Sequence, residues 1–574
     1  MKLLILFSVL YFQTLAANTC IETYITKKSS SIPREANIIQ SESKDYDVVI
    51  IGGGSAGLGS ALDAISRGLK PVVIEANDFA GETSSKSTKL LHGGVRYLEQ
   101  LWKKLITTGK LDKTLLNLIT DALHERKTVI SNAPYLAKPI ALMTPIYSTI
   151  EIPYYWAGLK MYDLLAGSKG KLPSSHFISA KEIIKKYPHI KTDGLKGGVI
   201  YYDGQFNDTR LAISLAKTAQ TMGGDLINYT KVISLQKNNG KIIGVEVQDQ
   251  LTNKKWIIKG KSFINATGPF ADKIRIMDDP NVKPMISGAS GTHLVIDKKF
   301  SIPEMGILIP KTTDGRVIFI LPWEGHTLIG TTDNKSEVIS KPKTTEEDIN
   351  YILNEVSKYF SVSLERQDVQ SYWTGIRPLV SDPEAADTSQ LARDHVVNVN
   401  PNSGLITLTG GKWTTYRVMG MHAMDKVIDT LGLDKENFKS QTATLKLAGS
   451  EGFHKDYNIE LIKTFSIAPD VANHFATNYG TNSSYILKKY TNSLNRLHPQ
   501  HPFLEAEVLY GIQHESARKI TDIISRRFRL SMLDLSATKI VLNQVADIMA
   551  KELGWNKQQL NDEITQAKQE LQIY

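Results

Sequence analysis

The sequence predicts an α/β protein that ends in an all-helical region. Three patterns carry this prediction. An apolar strand at 48–51 runs straight into Gly52-x-Gly54-x-x-Gly57, and a second strand at 71–74 ends on Glu75. Alternating strands recur at 292–296, 317–321 and 327–330. Apolar positions at helical spacing then dominate 506–512, 517–526 and 537–553.

The first pattern is a dinucleotide-binding βαβ unit. Gly52 permits the tight turn out of the strand. Gly54, without a side chain, lets a pyrophosphate approach the backbone, and Gly57 lets the helix pack close to the sheet. The helix N-terminus offers free N–H groups and a partial positive charge to the phosphates. Glu75 stands where a carboxylate accepts hydrogen bonds from ribose hydroxyls, and its charge disfavours the 2′-phosphate of NADP. A glycine-rich turn without a ligand is the alternative. The order strand, glycines, helix, strand, acid within about 30 residues outweighs it.

The next segment points to the longer cofactor, FAD. No βαβ strand follows at once. Instead come Thr83, Ser84, Ser85, Lys86, Ser87, Thr88 and Lys89, then His92, Gly93 and Gly94 before Arg96 and Tyr97. Hydroxyls and backbone amides suit ribityl and phosphate oxygens. Gly93 and Gly94 would let backbone approach a flat ring.

At these residues the chain resembles the FAD-dependent, quinone-linked glycerol-3-phosphate dehydrogenases, which carry TSSRSTKL-x-HGGVRYLE. Lys86 stands where that run often has Arg, which keeps a cation but loses the planar fork, so Lys86 is given no role. Further blocks match in order: Tyr201-Tyr202-Asp203-Gly204-Gln205 with Asn207-Asp208-x-Arg210, Asn265-Ala266-Thr267-Gly268-Pro269, Gly291-Thr292-His293, Leu321-Pro322-Trp323 with Ile329-Gly330-Thr331-Thr332-Asp333, Thr374-Gly375-Ile376-Arg377-Pro378-Leu379, and Gly410-Gly411-Lys412-Trp413-Thr414-Thr415-Tyr416-Arg417. The match runs from about residue 46 to the C-terminus.

The resemblance implies a fold and a reaction. The fold is a discontinuous Rossmann-like FAD-binding domain of the D-amino-acid-oxidase type, interleaved with an antiparallel-sheet substrate domain over 46–435. A C-terminal helical cap, 436–574, carries no catalytic motif of its own. Cofactor strands are expected from 46–99, about 196–268 and about 370–432, and the substrate sheet mainly from 285–365. The reaction is oxidation of sn-glycerol 3-phosphate at C2 to dihydroxyacetone phosphate by hydride transfer to FAD, with electrons then passed to ubiquinone.

That substrate carries about two negative charges, so cations must hold it. Arg96, Arg377 and Lys412 each follow glycines within such a block. Any one alone would read as a surface charge. Tyr97 offers a hydroxyl to the phosphate, or simply packs. His293 is the best base by intrinsic pKa; the alternative is a hydrogen-bonded histidine at a strand start. Arginine is a poor base, so Arg377 is assigned positioning and charge stabilisation. Gly268 and Gly411 are cofactor-side glycines. Gly411 leads into a helix predicted over 414–431, whose N-terminus would stabilise charge on a reduced flavin; a helix cap by Thr414 fits equally.

Composition bounds the rest. Net charge is +9 with 41% hydrophobic and 22% charged residues. The positive charge is spread along the chain with no basic, aromatic-rich cluster, so nucleic acid is not expected. Histidine spacing suggests no metal, no acidic run suggests an EF-hand, and calcium control is not expected. Cys20 is the single cysteine, which excludes a disulfide-reductase mechanism. No internal stretch approaches the roughly 18 apolar residues of a membrane span. A quinone is lipid-soluble, so attachment to a membrane surface is expected, with the aromatics of 152–160 as interfacial anchors or as a buried helix. A homodimer is compatible with these features. Residues 1–17 read as a secretory-type leader and 18–45 as a polar linker. The family instead implies the mitochondrial inner membrane, and the need for quinone favours that location. Rival readings are an oxidase using oxygen, oxidation of an amine on the same fold, and a non-enzymatic FAD protein.

Overall fold

The computed structural model describes residues 34–380 and 395–571; the leader and Cys20 lie outside them. Two sheets organise the chain. In the first, Asp45–Ile51 lies parallel to Pro71–Ile74 on one side and to Lys255–Asn265 on the other. Val48, Val49 and Ile50 are fully buried. A strand covered on both faces needs this continuous apolar run rather than alternation. Asp225–Ile227 extends one edge and Leu405–Gly410 the other. The helix Ser55–Ser66 packs against Tyr416–Thr430, where Gly59 and Gly420 let the two backbones meet.

The second sheet is mainly antiparallel. Its longest pairing joins Ile286–Ile296 to Val369–Val380. The expected strands appear within Ile286–Ile296, Ile318–Trp323 and His326–Gly330. Two segments assigned to the cofactor sheet belong here instead. Gly197–Phe206 pairs with Ala137–Ile146, and Val369–Val380 with Ile286–Ile296. A strand's own pattern specifies a half-buried pleat, while its partner is chosen by long-range packing.

The C-terminal region is helical, including Glu505–His514, a π-helical turn at Asp522–Arg527, and Leu535–Leu553. Its first helices build a core of their own around Leu461, Phe475, Ile486 and Leu504, and its later ones join the second sheet. Val508, Ile523, Phe528 and Val545 share one apolar cluster with Trp323 and Trp373 of the second sheet.

The predicted linker needs correction. Arg34–Ser41 is a helix. Arg34 makes a buried ion pair with Asp249 at 3.0 Å, and Asn37 Nδ2 donates to the Leu226 carbonyl at 3.1 Å. These partners are about 190 residues or more away, so nothing local announced them. Among the described residues, no helix is long and apolar enough to cross a membrane.

Candidate active site

A cavity of about 1800 Å³ runs between the two sheets and reaches most of the predicted site residues. At its dinucleotide end the backbone shapes the surface. Gly52 has φ +110°, and a Cβ there would stand 2.5 Å from the Ala266 carbonyl. At Gly57 a Cβ would stand 1.8 Å from the Gly52 carbonyl oxygen, so the helix can begin under the strand only with glycine. Gly57 thus does not line the cavity; it sets the close packing. Gly54 does line it, and a Cβ there would meet only the Ser84 hydroxyl, at 3.0 Å. This bare surface beside a helix N-terminus fits a pyrophosphate.

Glu75 closes that end. Its carboxylate accepts N–H bonds from Gly53 at 2.6 Å and Asn77 at 2.8 Å. Burial pushes its pKa up to about 7; the two N–H bonds oppose the rise, and Glu82 and Asp78 add to it.

The hydroxyl-rich run divides in its roles. Thr83 and Ser84 line the cavity. Thr83 Oγ1 donates to the Ile376 carbonyl at 2.6 Å, and Ser84 Oγ accepts from the Ser55 N–H at 3.0 Å. Ser85 was expected to touch cofactor. It is buried away from the cavity, its hydroxyl turned back to the Glu82 carbonyl at 3.0 Å. Gly93 also departs from expectation. Its N–H donates to Tyr162 at 2.7 Å, and a Cβ there would strike Leu123, so its bareness serves packing rather than a ring. His92 and Gly94 line the cavity, as do Gly268 and Gly411. Gly94, Gly268 and Gly411 have φ of +83°, +56° and +71°. The His92 N–H donates to Thr414 Oγ1 at 3.1 Å. Thr414 therefore does not cap the following helix, which starts at Tyr416 after a short 3₁₀ turn. Burial, with Lys412 and Arg126, lowers His92 to about 3, so this ring is neutral.

The other end is built from side chains of the second sheet. His293 stacks on Trp373 at 5.3 Å, and its Nε2 pairs with Thr88 Oγ1 at 2.9 Å in either tautomer. Gly330 sits opposite; a Cβ there would come within 2.2 Å of the imidazole. Burial, then Lys89 and Arg377, hold His293 well below the ordinary histidine range. It is a neutral imidazole with one nitrogen, Nδ1, buried and unpartnered. Arg377 is held by Asp333 at 2.9 Å and by the Thr332 carbonyl at 3.2 Å. Bare Gly291 leaves its space, since a Cβ there would stand 2.6 Å from Arg377 Nη2. Lys412 Nζ lies 4.0 Å from the centre of the Tyr97 ring, so these two predicted substrate residues meet in a cation–π contact. Arg96 opens the helix Val95–Thr108; its side chain is outside the described residues.

Beneath this end lies a network that motif reading missed. Lys89 Nζ bonds Asp208 at 2.6 Å and the carbonyls of Ser85 and Ser87, each at 3.1 Å. It also lies 5.0 Å from the Trp373 ring. Burial lowers Lys89 to about 7 even though Asp208 opposes the shift. Both residues stood inside matched blocks, but only their 119-residue separation in sequence being closed by the fold reveals the pair.

The glycine cradle and the size of the cavity fit FAD. Gly52, Gly54 and Ser55 would face its pyrophosphate and Glu75 its ribose. Thr83, Ser84, Gly94, Gly268 and Gly411 would border the rest.

Comparison with known proteins agrees. Residues 47–417 match the family model for FAD dependent oxidoreductases, and 440–560 match that for the C-terminal domain of alpha-glycerophosphate oxidase. The chain is 41% identical over 572 residues to the probable mitochondrial glycerol-3-phosphate dehydrogenase of Caenorhabditis elegans, covering 97% of this chain and 78% of that one. It is 41% identical over 566 residues to the mitochondrial glycerol-3-phosphate dehydrogenase of Rattus norvegicus, covering 96% and 76%. Among solved structures, the Bacillus halodurans glycerol-3-phosphate dehydrogenase complexed with FAD superposes with a TM-score of 0.75 at 29% identity, over 94% of this chain and 97% of that one. The chain belongs to the FAD-dependent glycerol-3-phosphate dehydrogenase family.

Proposed function

We propose that this protein oxidises sn-glycerol 3-phosphate to dihydroxyacetone phosphate with FAD as cofactor and a membrane quinone as the next acceptor, on the mitochondrial inner membrane. The observation that carries this reading is the meeting, in one cavity, of a dinucleotide cradle with Arg377, Lys412 and His293. Bound FAD supplies the hydride acceptor. The chain supplies the rest. Lys412 and Arg377 hold and neutralise the phosphorylated substrate, with Arg96 as the third cation. Charge-assisted contacts of this kind outweigh neutral ones about twofold. His293 takes the hydroxyl proton as hydride leaves C2. It is suited to this because it is already neutral, and its depressed basicity rises when an anionic substrate enters beside it.

Two features support the lipid-soluble acceptor. The helices Val95–Thr108 and Glu151–Ala166 lie together and expose Trp102, Ile106, Tyr154, Trp156 and Leu164, of which Ile106 is 68% and Leu164 78% exposed. Large apolar side chains exposed on two adjoining helices suit an interaction or membrane surface. Trp102 and Tyr154 also line the cavity, so its mouth opens beside that face. The mitochondrial names of the relatives support the compartment.

The match of 440–560 to a domain named for an oxidase keeps oxygen as the second reading. Turnover of the FAD-loaded protein with glycerol 3-phosphate and a short-chain ubiquinone, with peroxide measured in parallel, separates them. Quinone reduction without stoichiometric peroxide is expected. Peroxide at the full turnover rate would establish the oxidase.

A further inference from the structure

Among the described residues the C-terminal helices carry none that lines the cavity, yet they send three arginines, Arg526, Arg527 and Arg529, into the boundary behind it. We propose that this domain is a clamp on the cofactor loop, and that Arg527 and Arg529 are positioning residues that hold residues 75–89 in their FAD-binding shape.

The loop's front and back face different things. Its front borders the cavity through Glu75, Asn77, Gly81, Thr83, Ser84 and Thr88. Its back is fastened chiefly through Asp78 and Ser85, which do not. Asp78 accepts from Arg527 Nη1 at 2.8 Å and Nη2 at 3.1 Å, and from Arg526 Nε at 2.7 Å. Both arginines stand on the π-helical turn Asp522–Arg527, a conformation frequent at functional sites. Further along, the Ser85 carbonyl accepts from Arg529 Nη2 at 3.0 Å, and the same guanidinium lies 3.3 Å from Asp208. Asp208 in turn accepts from the Ser87 N–H at 3.1 Å and from its hydroxyl at 2.8 Å. The loop is therefore held at its start by Arg526 and Arg527 and at its end by Arg529.

Adhesion alone does not call for these charges. The domain already shares a large apolar cluster with the second sheet. The Arg527–Asp78 pair is fully buried on both sides, and burying ions costs several kcal/mol each, so well-packed apolar residues would often hold such a boundary as firmly. Directional ion pairs instead fix a register. Here the register transmits directly: the backbone runs three residues from Glu75 to Asp78, and Ser85 follows Ser84. Burial raises the pKa of Asp78, and Arg527 and Arg526 more than offset that, so the anchor stays ionised. A loop held from behind binds FAD without first being ordered, and coupling is reciprocal, so bound FAD should also steady the clamp.

The full-length protein tests this by FAD titration of the apoprotein, followed by flavin fluorescence, and by amide hydrogen exchange. Arg527→Lys and Arg529→Lys keep the charge and lose the fork. Each should raise the FAD Kd by about tenfold or more. Asn478→Ala weakens the same domain boundary at its contact with Asn207, at 3.1 Å, without touching Asp78, Ser85, Arg527 or Arg529. It should lower the thermal midpoint while leaving the FAD Kd within about twofold. In the unmutated protein, removing FAD should speed exchange across 515–529. The proposal is overturned if both lysine variants bind FAD within about twofold of the parent, if Asn478→Ala weakens FAD as much as they do, or if exchange across 515–529 ignores FAD. Should the lysine variants not fold, the exchange experiment on the unmutated protein decides alone.

Discussion

The two ends of the cavity are built by different means. At the dinucleotide end the surface is backbone, and the residues that matter are those with nothing to add: Gly52 at φ +110°, Gly54 open to the cavity, Gly57 against the Gly52 carbonyl. At the substrate end the surface is side chain. Arg377, His293 and Lys412 project from separate strands and turns, and glycines there serve only to make room for them, as Gly291 does for Arg377 and Gly330 for His293. A backbone site is specified within one βαβ unit. A side-chain site is specified by which strands pair.

This contrast can be broken most sharply with one methyl group at each end. Gly57→Ala places a Cβ about where the Gly52 oxygen already stands. The purified variant should contain little or no flavin by its visible absorbance. Gly330→Ala displaces His293; it should keep its flavin and lose turnover by about 10²-fold or more. If Gly330→Ala lost flavin and Gly57→Ala kept it, the division of labour would be reversed.

Arg377→Ala should reduce kcat/KM for glycerol 3-phosphate by about 10²–10³-fold, the usual scale for losing one preorganised charge contact, with the flavin spectrum unchanged. Arg96→Ala, argued from sequence, should act mainly on KM.

A pH series probes the backbone end. Glu75 has a raised pKa in the protein without ligand, about 7. Ribose hydroxyls of a bound FAD would donate to the carboxylate, so FAD binding should favour the ionised form and release a proton. FAD affinity should therefore rise with pH up to about 7 and level off above it. Apoprotein stability runs the other way. The contribution of a raised carboxyl is complete below its unfolded value, about 4.3, and is lost as pH rises through the folded one. Glu75→Gln should flatten both trends.

The smallest effect belongs to Thr88→Val, which removes the partner of His293 Nε2. One such hydrogen bond is worth about 1 kcal/mol, so a fall of about fivefold in kcat is expected, with a shifted pH profile.

The contrast also explains what was legible in the sequence. The first sheet's central unit could be read because glycine spacing and an apolar run are local demands. His293, Arg377 and Lys412 came from matched blocks, and the fold brings them to one cavity. Ser85 could not be placed from sequence because a hydroxyl in a polar run carries no sign of which way it turns; here it turns to its own chain. Gly197–Phe206 and Val369–Val380 were given to the wrong sheet because their patterns fit either. Lys89, Asp208 and the arginines at 526, 527 and 529 were invisible as a group, since charges scattered over 440 residues become a network only after folding.

The central claim is that one cavity joins a flavin to a phosphorylated substrate. Mixing the FAD-loaded protein, without oxygen, with glycerol 3-phosphate and separately with unphosphorylated glycerol tests it most directly. Bleaching of the flavin's visible bands by the phosphate ester and not by glycerol is the predicted result. Equal bleaching by both, or by neither while FAD remains bound, would contradict it.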